Sequence, residues 1–118
     1  MEFSLSARVE DRESMVSVAG ELDVATAGQL GDLLRDILRA GSNQVLLDLA
    51  DVTFMDCAAL AVLLRARRAS EIAGGGLCLL AVPRCVRLLL LLTGTGCLAS
   101  PAARFFDRPP LPGMRPAR

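Results

Sequence analysis

The chain contains no histidine, lysine, tyrosine or tryptophan, and its only aromatic residues are four phenylalanines. Histidine is the commonest general base and metal ligand in proteins, so its absence excludes Ser-His-Asp and Cys-His catalysis within one chain. All 13 basic residues are arginine, and 13 acidic residues balance them to a formal net charge of zero. Proteins that bind nucleic acid normally carry a basic face, so this balance argues against a nucleic-acid partner.

Long apolar runs and closely spaced cysteine pairs are missing too. The most apolar region, residues 77–98, is interrupted by one proline and two arginines, whereas a membrane span needs about 20 apolar residues. We therefore expect no membrane insertion. The four cysteines form no C-x-x-C pair, so we also expect no metal site and no cofactor. Cys78, Cys85 and Cys97 lie among apolar residues and are predicted to be buried, reduced thiols of a cytoplasmic protein.

The order of secondary-structure patterns predicts one α/β domain. Alternating residues predict two strands at 3–9 and 14–20 that pair as a hairpin, followed by a loop at 21–23. The remaining predictions are a helix over 26–40, a buried strand over 45–49, a helix from Ala58, a glycine stop at 74–76, a strand over 77–82 and a helix over 84–93. These elements predict a mixed, mostly parallel sheet of four to five strands, flanked by three to four helices.

We place the domain at residues 1–106. Residues 107–118 hold four of the six prolines, so we predict a flexible, proline-rich tail.

The turn between the buried strand and the second helix carries the most informative residues. Asp56 immediately precedes the helix start, where a carboxylate can accept hydrogen bonds from free backbone N–H groups. The helix then begins with Cys57, Ala58 and Ala59, so the first turn has no hydroxyl group. Whatever binds at this turn decides the function.

Two motifs give this chain a family resemblance. The segment 20–23, Gly-Glu-Leu-Asp, followed by Thr26-Ala27, resembles the GELD…TA signature of STAS domains, the anti-sigma-factor antagonist family. The segments 47–49, Leu-Asp-Leu, and 54–56, Phe-Met-Asp, resemble the LDL…FMDSSG signature of the same family. The similarity extends over residues 3–99, and it implies the STAS fold.

The resemblance also implies a partner and a surface that binds it. Family members of this type are cytoplasmic switch proteins that bind an anti-sigma factor of the histidine-kinase-like ATPase family, and the kinase phosphorylates the second serine of the DSSG turn. By position that serine falls on Ala58, which cannot accept phosphate. The implied partner-binding residues are Glu21, Asp23, Thr26, Asp56, Cys57, Ala58, Ala59 and Leu60. Among them, Cys57, Ala58 and Ala59 would form a flat platform of small side chains.

Two interpretations of the altered turn stay open at this stage. Without a phosphoacceptor, the protein either antagonises its anti-sigma factor constitutively or has lost the kinase and serves another partner. A thiol at a helix start would permit redox sensing by Cys57, but the adjacent Asp56 carboxylate disfavours a thiolate, so a small apolar substitute for serine is favoured. Thr53 and Ser70 carry hydroxyl groups nearby, but neither occupies the helix start, so neither is favoured as a replacement phosphoacceptor.

A run of five leucines at 88–92 cannot face one core, because successive helical residues advance by 100°. If the helix turns one face toward the core, formed by Val86, Leu89, Leu90 and Thr93, then Leu88 and Leu91 project outward. This predicts either a docking or homodimer patch, or coverage by the C-terminal segment.

Three function classes follow from these observations. The first is a protein-interaction module, an antagonist-like regulator that lacks the usual phosphoacceptor. The second is a scaffold or accessory subunit of a transporter or a stress-signalling assembly, docked through the leucine patch. The third, an enzyme, is disfavoured because histidine is absent and the glycines at 74–76 follow a helix, whereas a phosphate cradle precedes one.

Overall fold

The computed structural model describes residues 2–95 and has an α/β architecture of seven elements. In chain order they are β1 (Ser4–Glu10), β2 (Glu13–Leu22), α1 (Ala27–Arg39), β3 (Gln44–Met55), α2 (Cys57–Ile72), β4 (Gly76–Leu80) and α3 (Arg84–Thr93). Within this part of the chain, no helix combines the length and the apolar character that a membrane span requires. Cys97 and the predicted tail at 107–118 lie outside the described residues.

The four strands form one sheet in the order β1-β2-β3-β4. The first two strands pair antiparallel through a two-residue turn at 11–12, and Asp11 adopts a positive φ of 54° there. The pairs β2–β3 and β3–β4 are parallel, as the intervening helices require. The predicted mixed, mostly parallel sheet with an antiparallel edge strand is therefore confirmed.

The main hydrophobic core lies between one face of the sheet and the three helices. Its members include Val16, Val18, Leu30, Leu34, Leu47, Leu49, Leu63, Leu79, Val86 and Leu90. A second, smaller cluster contains Met15, Leu46 and Cys78, which occupy the same register position on three adjacent strands. Because side chains alternate along a strand, these three residues project from the other face of the sheet.

Strands β2 and β3 both end later than predicted, close to the junction of β3 with α2. We expected the third strand to end at Leu49 and a loop to begin at Glu21, but β3 continues to Met55 and β2 to Leu22. The two extensions pair with each other, with Glu21 opposite Phe54 and register shifts within β2 that absorb the irregular pattern. Such bulges break the strict alternation that marks a strand in sequence.

Two burial predictions in the third helix region were wrong. Cys85 is exposed, although its thiol lies 3.9 Å from the carbonyl oxygen of Val52, and Cys78 is buried as predicted. Thr93 is exposed, because α3 ends there and its hydroxyl donates to the carbonyl of Leu89 at 2.7 Å. Leu88 and Leu91 project outward as predicted, and Leu92 joins them.

Candidate functional site

The junction between β3 and α2 is organised by one carboxylate. Asp56 is the N-cap of α2 in an extended conformation, and its Oδ1 accepts from the backbone N–H of Ala59 at 3.0 Å. This bond satisfies one of the donors that a helix start leaves open, so the predicted capping role of Asp56 is confirmed. Among the described residues, the backbone N–H groups of Cys57 and Ala58 make no hydrogen bond.

The loop between β2 and α1 is held by a second carboxylate. Oδ1 of Asp23 accepts from the backbone N–H groups of Ala25 at 2.9 Å and Thr26 at 3.2 Å. The hydroxyl of Thr26 donates to the carbonyl of Glu21 at 2.7 Å and accepts from the backbone N–H of Asp23 at 3.0 Å. Asp23 and Thr26 therefore fix the conformation of this loop, in the manner of an Asx turn.

The two loops are joined to each other through Asp56. Its Oδ2 accepts from the backbone N–H of Val24 at 3.2 Å, and its own backbone N–H donates to the carbonyl of Leu22 at 3.1 Å. One side chain thus links the start of α2 to the loop before α1. The structure brings the two predicted motifs side by side, and Asp56 joins them.

The predicted platform of small side chains is only partly at the surface. Of its three residues, Cys57 is exposed and Ala58 is half-buried, but Ala59 is 0% exposed; Leu60, the next predicted contact residue, is 4% exposed. Both buried residues belong to the main core, because helical periodicity turns the third and fourth residues of α2 toward the sheet. Ala59 and Leu60 therefore support the surface from beneath and do not form part of it.

Two apolar residues at this surface were missed in the sequence. Val24 is 78% exposed at the tip of the β2–α1 loop, and Phe54 is 45% exposed near the end of β3. The signal for Val24 was an apolar residue between two loop-fixing polar residues. The exposure of Phe54 could not be predicted from the sequence, since it depends on the extension of β3 beyond the predicted strand end.

The chain matches the family model of the STAS domain over residues 4–107. This chain belongs to the STAS domain family.

Several solved structures have the same fold. A candidate anti-sigma factor antagonist of Thermotoga maritima is similar with a TM-score of 0.76 and 20% identity, covering 87% of this chain and 92% of its own. Unphosphorylated SpoIIAA, the Bacillus anti-sigma factor antagonist, has a TM-score of 0.74, 22% identity and coverage of 91% and 95%. An anti-sigma factor antagonist of Mycobacterium paratuberculosis has a TM-score of 0.69, 23% identity and 81% coverage of each chain. No curated protein matches this chain significantly in sequence.

Neither of the two hydroxyls predicted to be nearby lies at the start of α2 in this STAS domain: Ser70 is in the last turn of the helix, and Thr53 precedes the helix. Ser70 is buried and its hydroxyl donates to the carbonyl of Arg67 at 2.7 Å, so no kinase can reach it in the folded state. Thr26 is half-buried, and its hydroxyl is engaged within the β2–α1 loop. Thr53 is exposed but lies within β3, before the helix start.

The surface at this site consists of small apolar groups and backbone donors. Within residues 2–95, no group of three or more histidine, cysteine, aspartate or glutamate side chains is placed to hold a metal ion. What the surface presents is an apolar side chain at Val24, a thiol at Cys57, the methyl group of Ala58 and two backbone N–H groups. This mixture of small apolar groups and backbone donors suits the close approach of another polypeptide.

Proposed function

We propose that this STAS domain is a cytoplasmic anti-sigma-factor antagonist that binds an anti-sigma factor of the histidine-kinase-like ATPase family. The binding surface is the β2–α1 loop together with the start of α2. The observation that carries the proposal is the bidentate role of Asp56, which bonds to Ala59 in α2 and to Val24 in the neighbouring loop. A surface that is rigid before binding loses little conformational entropy when a partner docks.

The second part of the proposal concerns regulation. Ala58 occupies the position that the family resemblance assigns to the phosphoacceptor serine, and a methyl group cannot be phosphorylated. Phosphate would add about −1.5 to −2 charges at such an interface, and a desolvated charge weakens binding. Because Ala58 cannot receive that charge, the antagonist stays competent to bind when its kinase holds ATP.

Interaction, as opposed to catalysis, is the activity that this surface supports. The chain has no histidine to act as a general base, and Cys57 therefore has no imidazole partner within the chain. The carboxylates of Asp23 and Asp56 both accept backbone hydrogen bonds from the loops that they fix. Their first role is to shape the surface, and Val24 and Cys57 supply its exposed contacts.

Native mass spectrometry tests this function directly. The protein is mixed with the anti-sigma kinase encoded nearest to it, with and without Mg-ATP. We expect a complex under both conditions, with no phosphate added to this chain. Absence of a complex under both conditions would contradict the kinase partnership, and a phosphate on this chain would contradict the constitutive interpretation.

Three variants at one position separate binding from phosphorylation. Ala58→Glu adds a charge at the half-buried helix start and should weaken the complex at least tenfold, as measured by calorimetry. Ala58→Gln is the matched control of equal size without charge, and it should weaken the complex less. Ala58→Ser should restore an acceptor, so the chain gains the mass of one phosphate in the presence of kinase and Mg-ATP. Equal affinity for all variants would remove this turn from the interface.

A second candidate function, a scaffold or accessory subunit of a larger assembly, is favoured by a different surface. Leu88 and Leu91, the predicted docking residues, are both exposed on α3. A kinase complex that forms without these leucines, and a larger assembly that requires them, would assign the two surfaces to separate partners.

A further inference from the structure

Helix α3 has an outward face that is apolar over most of its length. Leu88, Leu91 and Leu92 are 46%, 74% and 82% exposed, whereas Val86 and Leu90 on the opposite face are buried. The three exposed residues are related by i, i+3 and i+4 spacing, so they form one continuous stripe, the leucine face. A contiguous apolar stripe at the surface of a small domain marks a contact with another macromolecule.

The same stripe carries positive charge at the N-terminal end of α3, where the helix dipole disfavours cations. Arg84 and Arg87 lie on it, one turn before Leu88 and Leu91, at the N-terminus of α3. The first turn contains no acidic residue and the last turn contains no basic residue. Cations at a helix N-terminus oppose the helix dipole, which favours the reverse arrangement by about 0.3–1 kcal/mol for each charge. Among the described residues, neither arginine forms an ion pair.

The other end of α3 is the negative end of the helix dipole. Gly94 caps the helix in the left-handed conformation, and the backbone N–H groups of Gly94 and Thr95 donate to the carbonyls of Leu91 and Leu90. This end of the leucine face is therefore partially negative, while its beginning is positive.

We propose that the leucine face binds a second copy of this chain, with the two α3 helices packed antiparallel across a two-fold axis. In that arrangement the arginines of each copy lie beside the C-terminal carbonyls of the other helix, so both ends of both dipoles are compensated. The leucines at the centre exclude water, and the aliphatic parts of the arginine side chains cover the leucines near each end. A two-fold contact of this kind is self-complementary and closes at the dimer.

The charge pattern selects the antiparallel direction. A parallel pair would place Arg84 against its own counterpart and leave both C-terminal ends together, which repels at each end. Arg87 is already held near the helix start, because its guanidinium donates to the carbonyl of Val82 at 3.3 Å. Arg84 is thus the residue available to reach across the axis.

The size of the face sets the expected affinity. Helix α3 has 10 residues and is therefore about 15 Å long. Stable protein interfaces bury roughly 800 Å² on each partner, more than three leucines and two arginines supply, so we expect a weak and concentration-dependent dimer. This inference does not depend on the proposed kinase surface, which is on other elements.

Sedimentation velocity over a range of protein concentrations tests the dimer. The full chain should pass from monomer to dimer in the micromolar to submillimolar range. Replacing Leu88 and Leu91 together by glutamine should weaken dimerisation at least tenfold. The matched control is Ile72→Gln, because Ile72 is 77% exposed at the end of α2 and lies off the leucine face. This control should dimerise like the parent.

A charge exchange tests the antiparallel direction. Arg84→Glu places an acid beside the carbonyls of the other copy, and Leu92→Arg places a base beside the other copy's arginine, so each variant alone should weaken the dimer severalfold. Both changes favour the dipole of their own helix, so neither should unfold the monomer. The double variant should recover the dimer, since only antiparallel packing brings positions 84 and 92 of different copies together.

Each alternative occupant of the face gives a distinct result that overturns the proposal. A chain that remains monomeric at all concentrations would show that another partner, or the chain beyond residue 95, uses the leucine face. A dimer that is unaffected by the glutamine variant would be formed by another surface. Failure of the double variant to recover, after both single variants have weakened the dimer, would exclude antiparallel packing.

Discussion

Asp56 links two parts of the chain that are 32 residues apart, and it does so with separate oxygens. Oδ1 caps α2 through Ala59, and Oδ2 accepts from the backbone N–H of Val24. An asparagine could keep the first bond, but its second terminal atom is a donor and cannot accept from Val24. Substitutions of Asp56 can therefore separate the contribution of the helix cap from that of the bond to Val24.

We expect Asp56→Asn to lower the free energy of unfolding by about 0.5–1 kcal/mol, through loss of the Val24 bond and of the charge at the helix start. Asp56→Ala removes the cap as well and should lower it by about 1–2 kcal/mol. Urea denaturation followed by circular dichroism measures both values. Asp36→Asn, on the exposed side of α1, is the control and should change stability by less than about 0.5 kcal/mol. If Asp56→Asn matches the parent, the bond to Val24 does not stabilise the fold.

Residue-level prediction from sequence was accurate where chemistry is local. A carboxylate directly before a helix start predicts a cap, and Asp56 is one. The bond to Val24 was not predictable, because it depends on two parallel strands that end side by side. Ala59 was predicted from the family motif to lie on the surface with the other small residues, but it is buried. Helical periodicity alone would have predicted this burial.

At the scale of one element, α1 contains two glycines whose surroundings differ. A Cβ atom at Gly28 would meet no atom within 4 Å, whereas one at Gly31 would lie 3.4 Å from a methyl group of Val62. Glycine within a helix costs about 0.5–1 kcal/mol relative to alanine, because it loses more backbone freedom on folding. A Cβ at position 31 would only make van der Waals contact with α2, so space does not require glycine there, and nothing in the structure explains the glycine at position 28.

Gly28→Ala should therefore raise the free energy of unfolding by roughly 0.5–1 kcal/mol, measured as a higher urea midpoint with an unchanged slope. Gly75→Ala, immediately before β4, provides the contrast. Its Cβ would overlap the backbone carbonyl of Asn43, so the same substitution should destabilise the protein by several kcal/mol. A destabilised Gly28→Ala variant would mean that the space beside Gly28 is required in the native state.

Element types were predictable throughout residues 2–95, but element ends were not. Helix α1 was predicted within one residue of each end, because its apolar stripe and the glycine after it are both local signals. Strand β3 was predicted six residues too short at its distal end, where bulged pairing with β2 replaces regular alternation. In α3 the outward projection of Leu88 and Leu91 followed from the 100° rotation per residue, which needs no tertiary information.

At the scale of the whole molecule, one sheet separates two apolar clusters. The main core lies on the face that carries α1, α2 and α3, and the cluster of Met15, Leu46 and Cys78 lies on the other face. Strand β3 contributes to both, and it pairs with β2 on one side and with β4 on the other. Both faces should therefore lose their structure in one transition.

Leu47→Ala tests this coupling. Leu47 is fully buried in the main core, between Val16 and Leu79 on the adjacent strands. The cavity should lower the free energy of unfolding by about 2–5 kcal/mol, a large part of the total of about 5–15 kcal/mol for a domain of this kind. Leu64→Ala, at a partly exposed position on α2, is the matched control and should cost much less.

The readout combines circular dichroism with the reactivity of the Cys78 thiol, which is buried on the opposite face of the sheet from Leu47. Alkylation of Cys78, quantified by peptide mass spectrometry, should begin at the same urea concentration as the loss of helical signal. In Leu47→Ala both should shift to lower urea by the same amount, since a two-state domain exposes all of its core together. If Cys78 reacts before the helices unfold, or does not shift with them, the two clusters are separate cooperative units and β3 does not couple them.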